Sequence, residues 1–372
     1  MPRLSEVVDL VHEWYPPATA DSWDAVGLVS GHPDDAVSRV LLAVDPALTV
    51  AEEAAAWGAD LLVVHQPLFL KGVHGVAATT PKGRALHALT RSGCALLTAH
   101  TNADQAVGGV SEALAGALGL RDLAPLLPAP AEPSDKLVVF VPPSDADRVR
   151  EALAAAGAGR IGDYDHASFS GPGHGRFRPL DGARPTIGEV GRPEVVEEER
   201  VEVVLPRRSR GDVVAAMLAV HPYEEPAYDV VELADPGRSA TGTGRVGDVD
   251  PLPLREFAEQ VAAALPATAH GVRVAGDPDR VVRRVALCGG AGDFLLDTVR
   301  ATDADVYVTS DLRHHPASEF REHDGPALVD VSHWAAEWTW LPVLRRRLES
   351  ALADTVDVRV STLVTDPWQF RT

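Results

Sequence analysis

The chain has 372 residues, of which 45% are hydrophobic and 24% charged, and a formal net charge of -20. That length predicts two or three domains, and the composition is that of a globular chain with a sizeable core. The acidic balance argues against a nucleic-acid groove or an anionic membrane surface, and no apolar window approaches a membrane span.

The opening segment "MPRLSEVVDLVHEWYPP" mixes acids with apolar residues and reads as an amphipathic helix, not a signal peptide. The two cysteines, Cys94 and Cys288, lie far apart in apolar runs, which fits a reducing cytoplasm without disulfides or thiolate clusters. Through residues 1–125, "RVLLAVD", "ADLLVVH" and "CALLTAH" alternate with helical segments that close on Gly58 and Gly93. This is the pattern of βαβ units, with a polar residue at the end of each strand.

"DLAPLLPAPAEPSDK", from Asp122, is rich in Pro and Ala and predicts a linker or domain edge. Residues 126–245 then read strand, helix, strand, helix, strand, the order of a small ferredoxin-like α+β domain, with "HASFSGPGHGRFRPLDGARPTIGEVG" as a long loop or ragged hairpin inside it. The alternating α/β pattern returns in residues 246–372 and closes on one helix, "WAAEWTWLPVLRRRLES". The expected fold class is therefore α/β: two similar halves forming one unit, with the α+β domain inserted.

Ligands of parallel α/β sheets collect beyond the carboxyl ends of the strands. Four such ends carry metal-ligand side chains: His65 with Gln66, His100 with Asp104, Asp311 with His314 and His315, and His333 with Glu337. His333 and Glu337 are four apart at a helix start and so share one face. Histidine with carboxylate oxygen suits Zn, Mn or Fe(II). Singly, each has an ordinary explanation: a hydrogen-bonded boundary histidine, a turn aspartate, or, for His314 and His315, the cap of the next helix. The coincidence of four strand ends favours the site. Trp334, Trp338 and Trp340 read more readily as core than as a substrate wall, and "HPYEEP" with His221, Glu224 and Glu225 as a Pro-bounded turn.

The blocks "SWDAVGLVSG", "ADLLVVHQPLF", "HTNADQAVGGVSEALA", "HPYEEPAYDVVEL", "ALCGGAGDFL", "TSDLRHH" and "VSHWAAE" resemble, in order, those of the GTP cyclohydrolase 1 type 2 homologues, the Nif-three-like dinuclear metal centre proteins. The resemblance covers essentially the whole chain. It implies two facing α/β halves with two divalent ions between them, an inserted domain of the PII or copper-tolerance type, and a toroidal homohexamer built as a trimer of dimers. By motif, His65, His333 and Glu337 would hold one ion, and Asp104 with a bridging Glu337 the second. The family's second histidine is here Gln66, whose neutral amide weakens that site, and His100 could partly substitute. The implied activity is metal-dependent hydrolysis of a nucleotide or heterocycle, with Asp311 or His314 handling protons; the alternative is a non-catalytic metal-bound ring that binds a ligand or partner.

Overall fold

The computed structural model describes residues 1–130, 132–234, 238–353 and 355–372. They divide into two compact units, Met1–Ala129 with Ala240–Thr372, and Pro130–Ser239.

The first unit contains two sheets. One has five strands in the order Gly27–Ser30, Ala95–Thr98, Leu61–Val64, Arg39–Ala43, Asp357–Val360. The last four run parallel, and only the Gly27–Ser30 edge is antiparallel. Leu61–Val64 is buried at every position because a central parallel strand is covered on both faces. Its side chains alternate between two cores: Leu61 and Val63 face one, Leu62 and Val64 the other. The second core lies under the helices Leu48–Trp57 and Pro81–Ser92, which end on left-handed Gly58 and Gly93.

The other sheet runs Arg273–Ala275, Ala327–Val331, Val306–Ser310, Val281–Ala291, Arg238–Pro253, Arg121–Pro130. Its three middle strands Ala327–Val331, Val306–Ser310 and Val281–Ala291 are parallel. Residues of both sheets meet in one core, which holds Val40, Leu42, Leu61 and Val63 from the first and Val285, Leu287, Val306 and Val308 from the second. The final strand, Asp357–Val360, pairs with Arg39–Ala43 and so completes the N-terminal sheet with C-terminal chain. Nothing in its short sequence announces that exchange.

Two local expectations are corrected. The Pro- and Ala-rich segment is not a linker at its start: Arg121–Pro130 is a strand at the edge of the six-stranded sheet. Proline is tolerated there because an edge strand leaves one row of backbone groups unpaired. The last helix is two, His333–Trp338 and Leu341–Ala351, with Pro342 in the first turn of the second, where its missing N–H has no partner to lose.

The Pro130–Ser239 unit has one antiparallel sheet ordered Phe169–Phe177, Glu194–Pro206, Ser134–Val141, Tyr228–Glu232. The helices Ala146–Ala155 and Arg210–Val220 cover one face, packing Val149, Leu153, Val213 and Met217 on Leu137, Val139, Val201 and Val203. The connectivity is β-α-β-β-α-β, with the third strand beside the first. The segment expected as a loop or ragged hairpin contains the nine-residue strand Phe169–Phe177, in continuous register with its neighbour.

Two predictions follow from this burial. Leu62→Ala, which empties a fully buried position, should lower unfolding stability by about 2–5 kcal/mol in denaturant titration. Burial pushes the Cys94 thiol up to about 12 and that of Cys288 well up too, so neither should react with a disulfide reagent at pH 8 until the chain unfolds.

Candidate metal centre

Parallel neighbours deliver their carboxyl ends to one edge, so His65 and His100 emerge side by side, their rings 5.1 Å apart edge to face. The second sheet contributes in the same way. Asp311 follows Val306–Ser310, and Ser332, after Ala327–Val331, caps a short helix by accepting from the Ala335 N–H. That cap starts the helix at His333 and places Glu337 one turn on.

Glu337 is the centre of the site and is only 2% exposed. His333 Nε2 lies 2.6 Å from its Oε1, and His65 Nε2 lies 3.3 Å from the same oxygen. The Gln66 amide nitrogen donates to both carboxylate oxygens, at 2.9 and 3.0 Å. Each imidazole is held from behind, His65 Nδ1 on the Ala99 carbonyl at 2.9 Å and His333 Nδ1 on Asp311 Oδ2 at 2.7 Å.

The electrostatics follow from burying one anion among these groups. Burial would raise the Glu337 carboxyl, but His333 and His65 outweigh it and hold it well below its ordinary value. Glu337 in turn lifts His333 to about 11 against burial, with help from Asp311. His65 is pressed down by burial, yet Glu337 and Asp104 together bring it to about 9. Asp104 is pushed up to about 7, burial being the largest influence.

Among the described residues, no three His, Cys, Asp or Glu side chains stand around one point as they would around a bound ion. They are paired with each other instead. Two buried atoms are nevertheless left without an aligned hydrogen bond, His65 Nε2 and Asp104 Oδ1, 3.6 Å apart. Two donors each about 2.1 Å from one tetrahedral ion stand roughly 3.4 Å apart. His65 Nε2 has that spacing to both Glu337 Oε1 and Asp104 Oδ1, at 3.3 and 3.6 Å, whereas the 2.6 Å between His333 and Glu337 is a hydrogen bond. On the His65 side two donor pairs therefore have the spacing of ligands to one ion, although the three groups do not enclose a point.

The grouping differs from the one implied by the family resemblance. His65 stands with Asp104, while Gln66, one residue later and facing the other way, stands with His333, its amide nitrogen 3.3 Å from Nε2. Gln66 meets the centre as a donor, not as an oxygen ligand. His100 gives Nδ1 to Asp24, at 2.9 Å, and burial followed by the His65 charge presses its pKa down, so it buttresses the His65 ring. His314 and His315 lie exposed in the first turn of the helix His314–Glu322, their rings edge to face. They are not among the groups that meet at Glu337. Trp334 and Trp340 are core residues, and Trp338 donates to the Ser361 carbonyl. His221 is bonded to the Phe140 carbonyl in a turn of the other unit.

Three contributors were not singled out from sequence. Asp24, in "SWDAVG", fixes His100 and also accepts from the Thr101 N–H at 3.0 Å. Gly290 has φ 75°, and a Cβ there would lie 3.0 Å from Glu337 Oε1 and 3.3 Å from His333 Nε2. Asp45, at a strand end already noted, accepts from the Thr365 hydroxyl, and burial pushes its carboxyl up. It shares with Gln66, His333, Glu337 and Trp368 a cavity of about 260 Å³.

An α/β unit whose strand ends gather histidines around a buried carboxylate defines a class of candidate metal proteins, and similarity narrows it. Residues 2–367 match the family model Duf34/NIF3 (NGG1p interacting factor 3). The chain belongs to that family. It is 53% identical over 368 residues to the Mycobacterium tuberculosis protein named GTP cyclohydrolase 1 type 2 homolog, covering 98% of this chain and 96% of the relative. The Bacillus subtilis protein of the same name is 38% identical, with 98% of each chain covered. A Bacillus cereus crystal structure described as related to NIF3 superposes with a TM-score of 0.84 at 36% identity, over 100% of this chain and 99% of that one.

Asp311 fixes the ring of His333, so Asp311→Ala should lower divalent-cation affinity about 10–100-fold, read by competition with a chromophoric chelator. Unchanged affinity would show that His333 needs no such support.

Proposed function

We propose that the chain is a divalent-metal-dependent hydrolase acting on a nucleotide or other heterocyclic compound, with Zn, Mn or Fe(II) held by His65, Asp104 and Glu337. The observation that carries this reading is the pair of buried, unpartnered atoms, His65 Nε2 and Asp104 Oδ1, beside the Glu337 carboxylate. When bound, such an ion acts as a Lewis acid and brings the ionisation of water toward neutral pH. The chain's own residues do the rest. The Ala99 carbonyl keeps a proton on His65 Nδ1 and leaves Nε2 for the ion, and Asp311 holds His333 Nδ1 so that its Nε2 faces Glu337. Asp45, whose carboxyl burial pushes up, lines the same cavity as Glu337, where exposed His314 is not placed. A cavity of about 260 Å³ admits a ring or a phosphoryl group and leaves the remainder of a nucleotide outside.

A second ion would sit between Gln66, His333 and Glu337, where the Gln66 amide now donates to the carboxylate. This contact favours a second reading, a metal-bound ring without turnover, because a neutral amide already compensates Glu337 on that side. Both readings include a cytoplasmic homohexamer built as a trimer of dimers. In both, the β-α-β-β-α-β order of the Pro130–Ser239 unit supports a PII-like or copper-tolerance-like fold for it.

Metal analysis should find one tightly held equivalent per chain in the wild type and two in Gln66→His; two in both would remove the argument from Gln66. With Mn, Zn or Fe(II) supplied, turnover of GTP and other nucleotides should fall in His65→Ala, which removes a proposed ligand, by more than the roughly 10–100-fold lost with an outer partner. Equal turnover in the two proteins refutes the hydrolase.

A further inference from the structure

The Pro130–Ser239 unit contains a cavity of about 810 Å³, bounded by its sheet on the face away from the two helices and by residues of the 178–187 segment. That segment is tied across the cavity to the turn after the second helix. The Arg184 N–H donates to Glu224 at 2.9 Å, and the Thr186 hydroxyl to the Pro222 carbonyl at 2.6 Å.

The cavity exists because one strand has no side chains on that face. In "FSGPGHGRF" the glycines fall at alternate positions, and register places Gly171 opposite Arg200 and Gly173 opposite Glu198. All three glycines therefore lie on the face of Glu198 and Arg200. None of the three has a positive φ, so backbone conformation does not require glycine here. Space does. A Cβ on Gly175 would lie 2.1 Å from Glu198 Oε2, and above Gly173 the nearest atom is 4.0 Å away. Glycines inside a strand weaken it, and they occur where something must approach the backbone closely.

Glu198 is 8% exposed and lines this space. Its partner is the Tyr223 hydroxyl at 3.0 Å, and among the described residues no cation forms an ion pair with it; Arg200 pairs with Glu202 instead, at 3.0 Å. A carboxylate so nearly removed from water is unfavourable unless charge or N–H donors are brought to it. The walls next to it are flat and apolar, with Phe177 and Tyr223 rings 6.1 Å apart and Phe140 beside them. Arg178 and Arg200 line the same space.

We propose that this cavity is a second ligand site, separate from Glu337, for a guanine-type nucleotide: adjacent ring N–H donors on the Glu198 carboxylate, the ring over the bare glycine floor beside Phe177 and Tyr223, and phosphate toward Arg178 and Arg200. A carboxylate accepts the paired N–H edge of guanine, whereas adenine offers an acceptor there. The volume is that of a site for a ligand of this size.

The test is calorimetric titration of the full-length chain carrying His65→Ala and with EDTA present, so that the proposed metal centre does not contribute, with GMP, guanosine and AMP. GMP should bind, guanosine more weakly, and AMP at least about tenfold more weakly than GMP, as expected for a lost charge-assisted hydrogen bond. Glu198→Gln and Gly173→Val, added singly, should each lower GMP affinity about tenfold or more while melting temperature and circular dichroism stay unchanged. No GMP binding at millimolar concentration, equal binding of GMP and AMP, or full affinity in Glu198→Gln overturns the proposal. If Gly173→Val fails to fold, Glu198→Gln and the AMP comparison still decide it.

Discussion

Taking the Glu337 carboxylate out of water is the constraint on which the rest of the centre depends. Such burial costs several kcal/mol unless charge and hydrogen bonds offset it. His333, His65 and Gln66 supply that compensation, His65 and Gln66 from one strand end and His333 from another. Asp311 and the Ala99 carbonyl then hold the two rings at the right angle, and Gly290 leaves room where any side chain would touch the carboxylate. Without the anion, burial would press the protons off both imidazoles, so the arrangement is stable only as a set.

The set is held in place by the core the two sheets share. Trp340 is fully buried, packs against His65 at 5.7 Å, and donates its indole N–H to the Tyr15 hydroxyl at 3.1 Å. Tyr15 passes its own proton to the Gly108 carbonyl and receives Arg347 Nη1 at 3.3 Å. One hydrogen-bonded chain thus joins the first helix region, the segment after Asp104 and the last long helix behind the His65 ring. Pro342 makes this possible by ending the preceding helix at Trp338 and letting Trp340 turn inward.

Much of this was legible. The buried strands announced themselves as continuous apolar runs, the helices by their Gly58 and Gly93 stops, and His65, Asp104, His333 and Glu337 by standing at strand ends. Asp311 was a candidate partner because a ligating imidazole needs its other nitrogen fixed. The misreadings have local causes. A Pro-rich edge strand looks like a linker because the proline pattern of an edge and of a loop is the same. His314 and His315 looked functional by position, but their helix turns them to solvent. The alternating glycines of Phe169–Phe177 left a loop and a ragged hairpin both open, because strand propensity counts glycine against a strand, whereas here bare backbone is what the adjoining cavity is made of.

By itself the sequence determined which side chains were available and on which local elements, since hydrophobic period, caps and spacing act over a few residues. It therefore placed His333 and Glu337 on one helical turn and a polar residue after each strand. Only the tertiary structure decided which of those residues meet. Pairing His65 with Asp104 and assigning His100 to Asp24 depend on the strand order of the first sheet, and turning the Gln66 amide onto Glu337 depends on how the two sheets pack across a common core. Contacts between residues more than 200 positions apart, such as Gln66 with Glu337, arise from that packing, and no local pattern encodes them.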